Sequence, residues 1–154
     1  MVGSIKKFFD KYVQPSPDKP EGISEHSLQL ATAALLVEMM RADAVATEDE
    51  RKAISETLRS KFDLSREETQ ALLHLAEEKI RKATGYYDFT SLINKGFAYQ
   101  EKVKVVELLW EVAFSDASLD KHEEHMVRKI ADLIYVEHRD FIDAKLRVKK
   151  KLAL

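Results

Sequence analysis

The chain has 154 residues, 34% of them charged, and a formal net charge of -2; that length supports one buried core, and the balance carries no call for nucleic acid or an anionic membrane. There is no cysteine, which excludes disulfides, thiolate metal sites and cysteine nucleophiles and fits a reducing, cytoplasmic compartment. The four glycines fall in no spacing that cradles a phosphate or dinucleotide, and Lys6, Lys7, Asp10 and Lys11 break up the apolar run that a secretory leader needs.

Residues 3–13 set Ile5, Phe8, Phe9, Tyr12 and Val13 on one helical face, opposite lysines and an aspartate. An isolated helix this short is marginal in water, so it is expected to pack on the rest of the chain. All three prolines fall within 14–22, which reads as a linker because proline lacks an N–H and fixes φ. From Ser24, a plausible N-cap, a helix turns Leu28, Ala31, Leu35, Leu36, Met39 and Met40 inward. A second begins near Thr47, with Thr47 and Glu50 spaced as a capping box, and buries Ile54, Leu58 and Phe62.

A third helix opens on the box Ser65 and Glu68 and runs Thr69, Leu72, Leu73, Ala76, Ile80 and Ala83 along one stripe, with Glu77–Arg81 and Glu78–Lys82 pairs outside. Gly85 ends it, and 86–96 is expected to be a connection holding at most a short helical turn. A helix over 99–115 buries Val103, Val106, Leu109, Trp110, Ala113 and Phe114. Asp120 and Glu123 cap a helix that buries Val127, Ile130 and Ile134, and 138–150 forms the last.

Shifting the chain by 73 residues lays Leu35, Leu36, Glu38, Asp43, Ala44 and Glu50 on Leu108, Leu109, Glu111, Asp116, Ala117 and Glu123, and puts Thr47 on Asp120 and Ile54 on Val127. The expected fold is therefore all-α, a compact bundle of about seven or eight helices with two related helix-turn-helix halves. The organisation reads as an amphipathic helix in 1–13, a linker in 14–22 and a helical domain in 23–150, whose repeat halves are about 28–83 and 101–148.

The chemistry most open to a functional reading sits in the repeated turns. Asp43 continues an inward stripe into the last turn of its helix, where the macrodipole is negative and a carboxylate is costly. Glu50, four residues before Ile54, points back toward the same turn, and Asp116 and Glu123 repeat the arrangement. In one reading the aspartates accept hydrogen bonds from free N–H groups and the glutamates close capping boxes. In the other, Asp43, Glu50, Asp116, Asp120 and Glu123 are ligands that gather a hard divalent cation, calcium or magnesium rather than zinc. The match to an EF-hand is poor, since that loop needs more acids and a central glycine.

His122, Glu123, Glu124 and His125 form a second cluster, but its histidines are three apart and the zinc-protease pattern needs four, so exposed polar residues are expected. His26, His74 and His138 read as isolated surface or cap residues. A hydrolase built on paired carboxylates and His122 is the weakest alternative, because no activated nucleophile or oxyanion donor is legible. No enzyme is expected.

The segments Met40-Arg-Ala-Asp-Ala-Val-Ala-Thr-Glu-Asp-Glu50 and Ala113-Phe-Ser-Asp-Ala-Ser-Leu-Asp-Lys-His-Glu123 resemble the repeated acidic signature of the tellurite-resistance TerB-like domains. The resemblance covers about 28–148 and implies a helical bundle, also found in the N-terminal region of some membrane-anchored DnaJ-like co-chaperones. It implies divalent-cation binding at Asp43, Glu50, Asp116 and Glu123, with Ala44 and Ala117 standing where the family often has glycine. The His-Pro-Asp tripeptide of a J-domain is not in the sequence, so a co-chaperone role implies a separate partner.

The leading expectation is a non-enzymatic, stress-linked interaction module with a protein partner and no nucleic acid. Its alternative is a structural adaptor that docks a partner or a membrane surface through Phe8 and Phe9. Lys145, Arg147, Lys149, Lys150 and Lys151 read as a solvated tail, because no stacking aromatics are interleaved with them.

Overall fold

A computed structural model describes residues 7–13, 24–42, 56, 58–77, 88–115 and 121–153, and among the described residues it is all-α, with no strand. In chain order these form a π-helical turn (Phe9–Val13), α1 (Glu25–Ala42), α2 (Arg66–Glu77), α3 (Asp88–Gly96), α4 (Tyr99–Ser115), α5 (Lys121–Leu133) and α6 (His138–Lys151). A further helical stretch over 58–62 precedes α2. The expected linker, the Thr47 and Glu50 box, Ile54, Ile80, Ala83 and the glycine stop at Gly85 lie outside the described residues.

The bundle is built around α1. Ser24 caps it as expected, its hydroxyl accepting the Ser27 N–H at 3.1 Å. Leu28, Ala31, Leu35 and Leu36 are buried, but so are Leu30, Thr32, Ala33, Ala34 and Val37, so α1 is enclosed on every side and not along one stripe. A helix apolar all round belongs at the centre of a fold, and the N-terminal turn, α2, α3, α4 and α5 all pack on it. Thr32 carries its hydroxyl into this core by donating to the Leu28 carbonyl at 2.8 Å.

Two turns share one geometry. Asp63 has φ 52° and Tyr135 has φ 60°, both left-handed. The next residue in each, buried Leu64 or Val136, sends its N–H back to a helical carbonyl five residues earlier, Arg59 at 3.1 Å and Ala131 at 2.9 Å. That is the Schellman ending, in which a left-handed residue releases the chain and the following apolar side chain seals the helix end. After each turn a helix begins, α2 or α6.

The connection expected over 86–96 is corrected to the nine-residue helix α3. Phe89 and Ile93, four apart, are both buried, and burying that pair on one helical face outweighs the weak local propensity of the segment. The C-terminal cations read as a solvated tail stand on the expected last helix, with the Arg147 and Lys151 side chains 51% and 66% exposed. There α6 runs to Lys151, with Arg147 on Glu107 at 3.3 Å, Lys151 on Glu111 at 3.2 Å and Lys145 on Glu124 at 3.1 Å. Cations four apart on α6 meet acids four apart on α4, a match of helical period that no local pattern shows.

Beneath this ladder Trp110 is fully buried against Phe114 (5.4 Å between ring centroids) and Phe141 (5.1 Å), with its indole N–H donating to the Phe141 carbonyl at 3.3 Å. Val106, Leu109, Ala113, Val127, Ile130 and Ile134 are buried as the periodicity predicts. Phe8 and Phe9 are turned into the bundle, 4% and 5% exposed, so contact with a membrane through these rings requires the turn to leave its seat.

Candidate functional site

The expected cation ligands sit at the margins of the described residues. Asp43, Glu50, Asp116 and Asp120 lie outside them, and Glu123 is placed in the first turn of α5 without its side chain. What the structure does place is the frame. α1 is described as far as Ala42 and α4 as far as Ser115, and in each case the next residue in the sequence is the candidate aspartate. α5 is described from Lys121, the residue after Asp120 in the sequence. The donors proposed are all carboxylates, the hard oxygen ligands that suit calcium or magnesium. Among the described residues no group of three or more histidines and acids is placed to hold a metal ion.

His122 and Glu123 share α5 with Glu124 and His125, and the latter two take separate roles. Glu124 pairs with Lys145, whose ammonium also lies 5.2 Å from the centre of the Trp110 ring. His125 lines an open cleft of about 300 Å³ between α5 and α6, with Glu124, Arg128, His138, Phe141 and Ile142. His138, which reads in sequence as isolated, thus joins His125 on one cleft and tilts over Phe141 at 5.7 Å. Nothing local predicts that pairing, because it depends on how the turn at Tyr135 folds α6 back along α5.

The best-defined polar constellations are two anchors at helix starts. Ser65 and Glu68 form the expected reciprocal box, Ser65 N–H to Glu68 Oε1 at 2.8 Å and Glu68 N–H to Ser65 Oγ at 3.1 Å. His26 adds its Nε2 to both Glu68 oxygens, at 2.9 and 3.1 Å, fastening the start of α1 to the start of α2. Burial pushes the Glu68 carboxyl up, but the Ser65 N–H and the His26 imidazole outweigh it and hold the group below its ordinary range.

The second anchor joins α4 to α6. The Tyr99 hydroxyl accepts the Glu137 N–H at 3.1 Å and donates to the Asp140 carboxylate, doing from another helix what a capping side chain does locally. Glu137, the N-cap residue, makes no side-chain cap of its own. Burial and then the Asp140 hydrogen bond raise the Tyr99 phenol above its ordinary value. Neither the His26 bridge to Glu68 nor the Tyr99 cap on α6 is legible in sequence, since each acts across about forty residues.

At the N-terminal turn, Glu67 of α2 accepts from Lys11 Nζ at 2.9 Å and from the Tyr12 hydroxyl at 3.1 Å. These bonds hold Glu67 below the ordinary carboxylate range and Lys11 above its own. The chemistry displayed by the described residues is therefore that of helix ends fastened pairwise, with one open cleft bearing two imidazoles and a guanidinium.

Comparison with curated proteins and with solved structures gives no match. The family model described as tellurite resistance protein TerB matches residues 29–146, a span that holds all five candidate ligands and reaches from α1 into α6, and the chain belongs to that family.

Proposed function

We propose that this chain is a non-enzymatic, stress-linked interaction module of the cytoplasm whose acidic helix turns hold a divalent cation, calcium or magnesium before zinc. The carrying observation is the repeat in the sequence: a shift of 73 residues lays Asp43 and Glu50 on Asp116 and Glu123, and each aspartate follows a helix that the structure describes as far as the preceding residue. The last carbonyls of a helix lack intrahelical donors and carry partial negative charge, so a carboxylate beside them concentrates oxygen donors where a cation offsets the cost. Asp43 with Glu50, and Asp116 with Asp120 and Glu123, are the residues that would hold it. The family's name supports the link to tellurite resistance. No helix among the described residues is long and apolar enough to cross a membrane.

The test is thermal unfolding of metal-stripped protein with chelator, calcium, magnesium, manganese or zinc, beside Asp43→Asn and Asp116→Asn. A cation at a hundred times its dissociation constant adds about 2.7 kcal/mol, roughly 5 to 10 °C for a domain of this size. A rise with a hard cation, lost in either variant, supports the site. Curves that overlay under every condition remove the cation and leave the acids as helix caps.

A further inference from the structure

Adjacent helical residues diverge by about a quarter of a turn, so both are buried only where packing covers a broad arc of the helix. Phe8 and Phe9 meet that condition. Phe89 receives both rings edge-on, at 6.1 and 5.8 Å between centroids, and Phe97 flanks Phe9 at 6.4 Å. Gly96 forms part of the floor: a Cβ there would stand 3.3 Å from Phe9 Cζ. Val13 is buried one turn further along. On the rim, Glu67 takes Lys11 and Tyr12 together, and Ser27 Oγ donates to the Tyr12 carbonyl at 2.9 Å.

The groove and its occupant belong to different parts of the chain. Phe89, Gly96, Phe97 and Glu67 fall within the family-matched span 29–146, whereas the turn precedes it and is joined to α1 through the segment that carries Pro15, Pro17 and Pro20. A helix this short has almost no stability of its own, so its conformation is conferred by the groove, as that of a bound peptide is. The seated turn thereby defines the groove's ligand: adjacent aromatic rings, a cation two residues on that meets Glu67, and an aliphatic side chain to close the end.

We propose that this groove is a docking site for an amphipathic helix of a protein partner with that chemistry, adjacent aromatics followed by a basic residue, and that residues 7–13 fill it in cis as a displaceable plug. The proposal rests on the interaction-module reading and is independent of the cation. A tethered plug presents itself at an effective concentration in the millimolar range for a short linker, so a partner must bind the open groove well to displace it. The docking surface is thus silent by default and exposed when the plug is drawn off.

The experiment uses the full chain and a fluorescein-labelled peptide of residues 4–16, read by fluorescence anisotropy. The Phe8→Ala/Phe9→Ala chain, with its own plug disabled, should bind the peptide at least tenfold more tightly than the wild type, and a peptide with both phenylalanines changed to serine should not bind. Lys11→Glu leaves every buried side chain in place and sets like charge beside Glu67, and it should raise peptide uptake several-fold over wild type. Equal binding by wild type and both variants overturns the proposal, and so does loss of the helical circular-dichroism signal in the double alanine chain, which would make the turn an integral part of the core. A dimer that requires Phe8 and Phe9 would assign the groove to a second copy, and liposome binding that requires them would assign the turn to a membrane; either result overturns it as well. Overlaid melting curves in the metal series would leave these outcomes unmoved.

Discussion

The two halves set out by the sequence repeat carry different chemistry at matching positions. His26 on Glu68 fastens α1 to α2, and 73 and 72 residues later Tyr99 on Asp140 fastens α4 to α6. Val37 in α1 corresponds to Trp110 in α4, and Thr69 in α2 to Phe141 in α6; all four are buried. The second half fills its centre with its own aromatic rings. Among the described residues the first half buries mainly leucine and alanine with the ring of Phe62, and the N-terminal turn and α3, which also pack on α1, add Phe8, Phe9 and Phe89. The two left-handed turns share their geometry while the source of aromatic packing differs, so rings from outside the repeat add to the packing of the first half.

The largest expected difference follows from that contrast. Trp110→Ala removes the largest fully buried side chain, its bond to the Phe141 carbonyl and the surface under Lys145, and should cost about 3 to 5 kcal/mol. Val37→Ala at the matching position removes only two methyl groups, roughly 2 kcal/mol. Urea unfolding measures both. Equal losses would mean that the halves share one core and that the aromatic cluster is not a separate source of stability.

This difference also marks how far the sequence can be read. The Ser65 and Glu68 box is legible because both partners lie within one helical turn, where the backbone alone sets their distance. The stripes of α4 and α5 are legible because each has one wet face. α1 defeats the same reasoning: Leu30, Ala33, Ala34 and Val37 break a single stripe, and only the helices around it explain their burial. The bridge from His26, the cap from Tyr99 and the placing of His125 and His138 on one cleft are set by the tertiary fold. The acidic turns are legible as a repeated pattern in the sequence.

Breaking the anchors should separate the halves next. Tyr99→Phe leaves the Glu137 N–H and Asp140 without their shared hydroxyl and should cost about 1.5 kcal/mol. Ser65→Ala, which keeps the His26 bridge to Glu68, should cost about 1 kcal/mol. A Tyr99→Phe chain as stable as wild type would show that water replaces the hydroxyl at the start of α6.

The pH dependence sharpens the first anchor. Glu68 is held below its ordinary range when folded, so its contribution is fully present above the unfolded pKa, about 4.3, and is lost as pH falls through the lower folded value. Glu68→Gln should therefore melt below wild type at neutral pH, by under about 1 kcal/mol, and the gap should close at acid pH. A gap constant from pH 7 to pH 3 would show that the carboxylate charge is not what the Ser65 N–H and His26 recognise.

The smallest effect comes from the two Schellman turns, where the same left-handed backbone holds Asp63 in one half and Tyr135 in the other. A bulky side chain at positive φ costs about 1 to 2 kcal/mol, and glycine relieves this while adding about 0.5 to 1 kcal/mol of chain entropy to be lost on folding. The Tyr135 ring is 72% exposed and Lys102 stands 5.9 Å from its centre, near the limit of a useful cation–π contact, so removing the ring forfeits little packing. Tyr135→Gly should therefore stabilise the chain by about 0.5 kcal/mol. Asp63→Gly should be close to neutral, because a short polar side chain already tolerates this conformation. If Tyr135→Gly instead destabilises by a similar amount, the ring is held by contacts worth more than the strain, and the second half relies on its aromatic residues at the surface as well as in its core.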